Sequence, residues 1–391
     1  MAMFVPALLR AEVNAGAGNI VLLGHIDFVG RYSAQDDAKK GAADDWPGYQ
    51  TYNLEFAVLG IAGQVGDNVD WVITESFAFI GPFASLNSAL AQMGGGGTNM
   101  VAASLLDARV NFHLGDSIML SAGRFIPPTS MTWNPHLLKA MYTINYPLIN
   151  GAGLQGFQVG APGLFIPMPM YQTGVMLTAK MGPASLMIGN YNGTDIVGGS
   201  DIGGVAVNGM NNTMDIDKTK GTSIKLAVDN EGLHCGGWYY WEEASLKMVA
   251  AGRIPPLPIG TLRTADAAVD QWGLELAYDS DLLILQSQYL STKVNFQDSK
   301  VKDLFQSGWY VLLGAHLGEQ VQVVARYDYF DYDNKKVLFK DKMDTESATT
   351  LGVNYLVNGN TMVGLDYTFR NIEDWDANTD ELAVIVEVNL F

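Results

Sequence analysis

Few side chains in this sequence stand where chemistry could begin. His113 and Ser121 lie on either side of the turn Gly115-Asp116-Ser117 and have the types a base and a nucleophile require. Nucleophilic catalysis also needs a third group that orients the base, and none is assignable. Gly94 to Gly97 is a glycine run without the Gly-Lys-Ser/Thr that follows in a phosphate-binding loop. Two acidic groups, Asp36, Asp37, Asp44, Asp45 and Asp331, Asp333, offer the oxygens that Ca²⁺ or Mg²⁺ prefers. Neither follows the spacing of an EF-hand loop, and a solvated acidic surface is the expectation. Cys235 is the single cysteine, which excludes an intrachain disulfide, a multi-cysteine metal site and a CxxCH haem attachment. Cys235 and His234 are expected to be wall residues. No catalytic site, metal or cofactor is therefore expected.

The composition points elsewhere. Of 391 residues 48% are hydrophobic and only 16% charged, where soluble globular chains carry about 25% charged residues. Disorder is excluded. The net charge of −18 repels nucleic acid. The longest apolar runs, residues 2–9 and 164–170, fall short of the roughly 18 residues of a spanning helix. The N-terminal run lacks a basic n-region, is broken by Pro6 and meets Arg10, so residues 1–17 read as a trimmed or altered processing segment. Residues 18–391 then form a single domain.

Strands must carry the apolar residues. From Asn19 onward the chain alternates with period two, as when one strand face meets lipid and the other water. Ile20, Leu22, Ile26, Phe28 and Tyr32 share one face, against His25, Asp27, Arg31 and Ser33. Tyr52, Leu54, Phe56 and Val58 are split in the same way from Asn53 and Glu55, and Trp272, Leu274, Leu276 and Tyr278 from Glu275 and Asp279. Residues 282–290 show no clear phase.

The expected strands are 19–33, 52–65, 69–81, 105–114, 118–126, 171–181, 184–193, 221–229, 233–244, 270–279, 282–293, 306–317, 320–332, 347–357, 361–372 and 380–391. Every second connection is a tight turn, such as Gly182-Pro183 or Asn358-Gly359-Asn360, and those between are longer. Strict alternation of short and long connections predicts an all-β fold, an antiparallel transmembrane barrel of about sixteen strands with short periplasmic turns and long extracellular loops. A soluble sandwich has no reason to segregate its loops so regularly.

With these features the chain resembles the sixteen-stranded bacterial porins over Asn19 to Phe391. The long connection after the fifth strand, 127–170, stands where that family folds a loop into the lumen. The segment Ser121 to Pro128, SAGRFIPP, is similar to the strand end before that loop in phosphate-selective porins, and Phe391 matches the family's C-terminal phenylalanine. The last strand sets Leu382, Val384, Val386, Val388 and Leu390 on one face, which leaves Phe391 in the opposite phase. The resemblance implies an integral protein of the bacterial outer membrane, in contact with its lipid and lipopolysaccharide, assembled as a homotrimer.

Such a barrel leaves an aqueous lumen unless a loop fills it. By strand phase the lining is Asp27, Arg31, Glu55, Asp107, Arg109, Lys225, Glu275, Arg326, Asp328, Asp366, Arg370 and Glu387. The alternative for each is a pair that braces the wall. The excess of carboxylates predicts a weak cation preference. Residues 127–170 contain half of the prolines, no Asp or Glu, and Lys139 as the one Lys or Arg. Trp133, His136, Lys139 and Tyr142 are the candidate constriction residues, with a plug on the inner wall or a subunit contact as alternatives. The expected function is passive diffusion of small solutes or ions. The rival is a scaffolding barrel that holds an adhesin, lipoprotein or secreted cytochrome.

Overall fold

A computed structural model describes residues 12–15, 18–35, 49–79, 104–131, 142–144, 147–149, 172–192, 220–244, 267–296, 303–331, 334, 345–372 and 377–389. Its strands are β1 (Glu12–Ala15), β2 (Gly18–Gln35), β3 (Tyr49–Val65), β4 (Val69–Phe79), β5 (Ser104–His113) and β6 (Ile118–Phe125). Then follow β7 (Gln172–Met181), β8 (Ala184–Tyr191), β9 (Gly221–Asn230), β10 (Leu233–Ala244), β11 (Ala267–Asp279) and β12 (Leu283–Phe296). The last five are β13 (Leu304–Leu317), β14 (Val321–Asp331), β15 (Thr345–Asn358), β16 (Thr361–Ile372) and β17 (Ala377–Asn389). No helix among the described residues is long and apolar enough to cross a membrane.

From β2 to β17 each strand pairs antiparallel with the next, and β17 pairs with β2 over Thr379↔Gln35 to Asn389↔His25. Sixteen strands thus close on themselves, and closure satisfies the backbone donors and acceptors that hydrocarbon cannot. Residues 12–15, set aside above with the N-terminal segment, form a short strand of their own. Glu12↔Val21 to Ala15↔Gly18 pair β1 with the start of β2, continuing that edge beyond the point where β17 ends.

Burial alternates along the strands, as in β14 and β15. Leu274, Leu313, Leu351, Val353 and Leu365 are exposed on the outside. An apolar surface this continuous is stable against lipid and not against water. Trp309 lies 5.5 Å from Tyr327, Trp272 5.1 Å from Tyr289, and Tyr239 5.4 Å from Trp241, ring centre to ring centre. Trp241, Trp272, Trp309 and Tyr327 lie nearer the strand ends that carry the long connections, where an interfacial aromatic girdle belongs.

Two irregularities explain where the sequence pattern breaks. Between β2 and β3 the register steps from Asp27↔Phe56 to Phe28↔Leu54, so Glu55 has no opposite residue. This bulge reverses the phase of β3: Leu59 and Ile61 face outward rather than Val58. In β6, Gly123 has φ 131°, and a Cβ there would approach the Ala108 carbonyl oxygen to 2.2 Å. Only glycine adopts that conformation at little cost, and after it both Arg124 and Phe125 are buried. The phase of β12 was hidden for another reason. Its inward residues Ile284, Gln286, Gln288, Leu290, Thr292 and Val294 mix polar and apolar types, while Leu283 is exposed outside.

Candidate pore and its inward-folded segment

The inner wall carries ion pairs built by β-strand periodicity, which sets residues two apart on the same face. On β14, Arg326 Nε donates to Asp328 Oδ2 at 2.7 Å. Arg370 of β16 pairs with Glu346 of β15, and Lys225 of β9 with Glu275 of β11 across the intervening β10. His234 of β10 stands 2.8 Å from Glu275 and 2.6 Å from Asp229. All of these except Asp229 and His234 are buried residues. Breaking one such pair costs about 3–5 kcal/mol, because the remaining charge is left in a poor solvent.

Beside these pairs lies an apolar cluster inside the barrel. It includes Phe125, Met176, Tyr191, Tyr240, Tyr310, Leu312 and Phe330 from strands β6 to β14, with Tyr142, Leu148 and Ile149 of the connection after β6. In a ring of sixteen strands β14 stands diametrically opposite β6, so this segment crosses the lumen.

The far wall holds it through a ladder of polar contacts. Tyr142 Oη donates to Asp279 Oδ2 at 2.6 Å, and Asn354 Nδ2 donates to the Tyr142 carbonyl at 3.0 Å. Arg326 donates to Thr143 Oγ1. The backbone N–H groups of Ile144 and Leu148 donate to Asp366 Oδ2 at 2.6 Å and Asp328 Oδ1 at 3.1 Å. At the start of the segment, Ser130 Oγ and the Gln288 amide exchange hydrogen bonds at 2.9–3.1 Å. Burial, followed by the Asp279 hydrogen bond, pushes the Tyr142 phenol up in pKa. Tyr142 also has φ 59°, a conformation costly for a residue with a side chain. Gly308 makes the fit possible: a Cβ there would stand 2.8 Å from Ile149 Cγ2 and 2.4 Å from Phe330 Cδ2.

The candidate lining residues therefore divide. Asp27, Lys225, Glu275, Arg326, Asp328, Asp366, Arg370 and Glu387 face inward and are buried; Lys225, Glu275 and Arg370 stand in wall ion pairs, and Arg326, Asp328 and Asp366 bind the segment. Water reaches further into two pairs: Arg31–Glu381 at 2.8 Å, with side chains 12% and 16% exposed, and Arg109–Asp107 at 3.5 Å, at 18% and 19%. These pairs lie on β17, β2 and β5, outside the cluster of Phe125 to Phe330, while a smaller buried cluster sets Ile144 of the segment with Val29 of β2, Met362 of β16, and Ala383 and Ile385 of β17. The Glu55 side chain lies outside the described residues, as do Trp133, His136 and Lys139. Of the four candidate constriction residues only Tyr142 is described, and its hydroxyl is bound to the wall.

His113 and Ser121 are not brought together. Register sets Ser121 opposite Asn111, to whose Oδ1 it donates at 2.7 Å, while His113 Nε2 lies 2.5 Å from Asp70. Sequence reasoning missed Asp279, Gln288, Asn354, Glu346 and Glu381. Their signal was inward strand phase, and all but Glu346, which pairs with Arg370 on the next strand, have partners far away in the chain.

The closed ring of sixteen antiparallel strands is matched among solved structures. OmpT of Vibrio cholerae, as a loop L8 deletion mutant, is 12% identical with a TM-score of 0.60, covering 95% of this chain and 99% of that one. The chain has the sixteen-stranded barrel fold of the porins. An anion-selective porin from Comamonas acidovorans is 14% identical with a TM-score of 0.61, over 95% and 99% of the two chains. Salmonella typhi OmpF, in complex with daunomycin, is 13% identical with a TM-score of 0.58, over 96% and 99%. The family model of phosphate-selective porins O and P matches residues 259–387 of this porin-type barrel, which run from shortly before β11 into β17. No curated protein matches the sequence.

Proposed function

We propose that the protein is a passive diffusion channel for small solutes or ions. The observation that carries this reading is the closed sixteen-strand ring with charged pairs on its inner face at β2, β5 and β17, where side chains keep contact with water. The aqueous path runs past these two pairs, beside the docked segment, whose Ile144 packs with Val29, Ala383 and Ile385 of β2 and β17. Arg31, Glu381, Asp107 and Arg109 are its polar boundary. Each charge there has an opposite partner, so selectivity is weak. The surplus of carboxylates over Lys and Arg in the chain gives it a cationic sense. A homotrimer is proposed, since a structure of Vibrio cholerae OmpT is described as a trimer form.

Proteoliposomes made with the purified protein should swell in isotonic solutions of small sugars and amino acids, and the rate should fall steeply with solute size. Liposomes that swell no faster than protein-free controls would remove the channel reading. One observation favours a second reading: a buried apolar cluster spans the inner side of strands from β6 to β15 together with the docked segment. A barrel closed by such packing would suit a scaffold that holds a partner protein on its loops, and would conduct nothing.

A further inference from the structure

The seam at which the barrel closes carries a second constellation. Register sets Glu387 of β17 opposite Asp27 of β2, and Asn389 opposite His25. One ligand atom from each of His25, Asp27 and Glu387 lies within 4.8 Å of the others, and all three residues are buried. His25 Nδ1 is 3.0 Å from Asn389 Oδ1, an acceptor, so Nδ1 donates. The ring is thereby turned with Nε2 toward Asp27 Oδ2, at 2.9 Å.

We propose that His25, Asp27 and Glu387 bind a divalent transition metal of the zinc class, a clamp between the first and last strands of the barrel. Atoms at the corners of a triangle with sides up to 4.8 Å lie within about 2.8 Å of its centre. Small side-chain rotations bring them to the roughly 2.0–2.2 Å of zinc–nitrogen and zinc–oxygen bonds. One imidazole nitrogen and two carboxylates form a donor set that zinc accepts, with a fourth position left for water. The Asn389 contact fixes the imidazole as outer partners of metal-bound histidines do.

The other histidine–carboxylate contacts lack this convergence. His234 spends its two nitrogens on different carboxylates, and Lys225 already sits on Glu275. His113 and His316 each meet a single carboxylate, Asp70 and Asp279. Among the described residues no other trio of potential ligands comes together.

The test uses the full chain, refolded in detergent, equilibrated with zinc and dialysed. Elemental analysis should find about one zinc per chain in the wild type and in the controls His113→Ala and His316→Ala, and less than about a fifth of that in Asp27→Asn and Glu387→Gln. Zinc should also raise the thermal unfolding midpoint of the wild type and leave that of both carboxylate variants unchanged. Folding of each variant is checked by its heat-modifiable gel mobility. Variants that retain the wild-type zinc content, or a wild type that holds none, would overturn the proposal. If the variants do not fold, zinc X-ray absorption on the wild type decides: one imidazole among oxygen ligands supports the site, and a shell without imidazole overturns it.

Discussion

The Asp366 carboxylate accepts the Ile144 N–H at 2.6 Å in a buried setting, and this bond ties the segment after β6 to the opposite wall. Asp366→Ala removes the acceptor and leaves that N–H facing the space the carboxylate occupied. A hydrogen bond to a charged group contributes about 1.5–3 kcal/mol, and an unsatisfied buried donor costs a similar amount. Docking of the segment is therefore weakened by about 1.5–3 kcal/mol, roughly ten- to 150-fold in its equilibrium constant. The segment stays docked most of the time, since Arg326, Asp328, Asn354 and Asp279 still hold it. Excursions become frequent enough to appear in single-channel records. The variant should show brief steps to a higher conductance and increased open-channel noise, and protease added to the folded barrel should cut within residues 127–170 faster than in the wild type. Heat-modifiable gel mobility should be unchanged, because the strand pairing is untouched. Unaltered noise together with unaltered proteolysis would refute the reasoning, since the carboxylate would then not hold the segment.

Removal of residues 130–165 should raise single-channel conductance severalfold, measured in planar bilayers; an unchanged value would take the segment out of the conducting path. Gly308→Ala drives a methyl group toward Ile149 and Phe330 and should destabilise docking by about 1–3 kcal/mol, seen as the same protease sensitivity as Asp366→Ala. Leu351, exposed in the middle of β15, faces lipid, and Leu351→Arg should cost about 2–4 kcal/mol in urea unfolding from liposomes. Arg109→Glu, at the wetter ion pair, should shift the salt-gradient reversal potential toward cations, whereas Lys225→Gln in the buried pair should lower stability and leave that potential near the wild-type value.

Architecture was legible because lipid and lumen impose a two-residue period on nearly every strand, and because turn residues such as Gly182-Pro183 punctuate it. The strands read from the sequence differ from those of the structure by a few residues at their ends. Where the period failed, a physical cause stands behind it. The bulge at Glu55 reverses the phase of β3, and the inner wall of β12 packs Ile284 and Leu290 beside Gln286 and Gln288, so hydrophobicity no longer marks a face. The inward direction of Arg326, Asp328 and Asp366 was equally legible. Their work was not, because the N–H groups they bind or support belong to residues some 180–220 positions away in the chain. The same holds for the closing seam: His25 and Glu387 come from opposite ends of the sequence, and only barrel closure makes them neighbours.

The most direct test of the channel reading is current through a planar bilayer to which the purified protein is added, recorded first in symmetric salt and then across a salt gradient. The account predicts discrete, long-lived, ohmic steps and a small reversal potential of cationic sign. A correctly folded barrel that inserts and passes no current would contradict it and leave the scaffold as the reading of this fold.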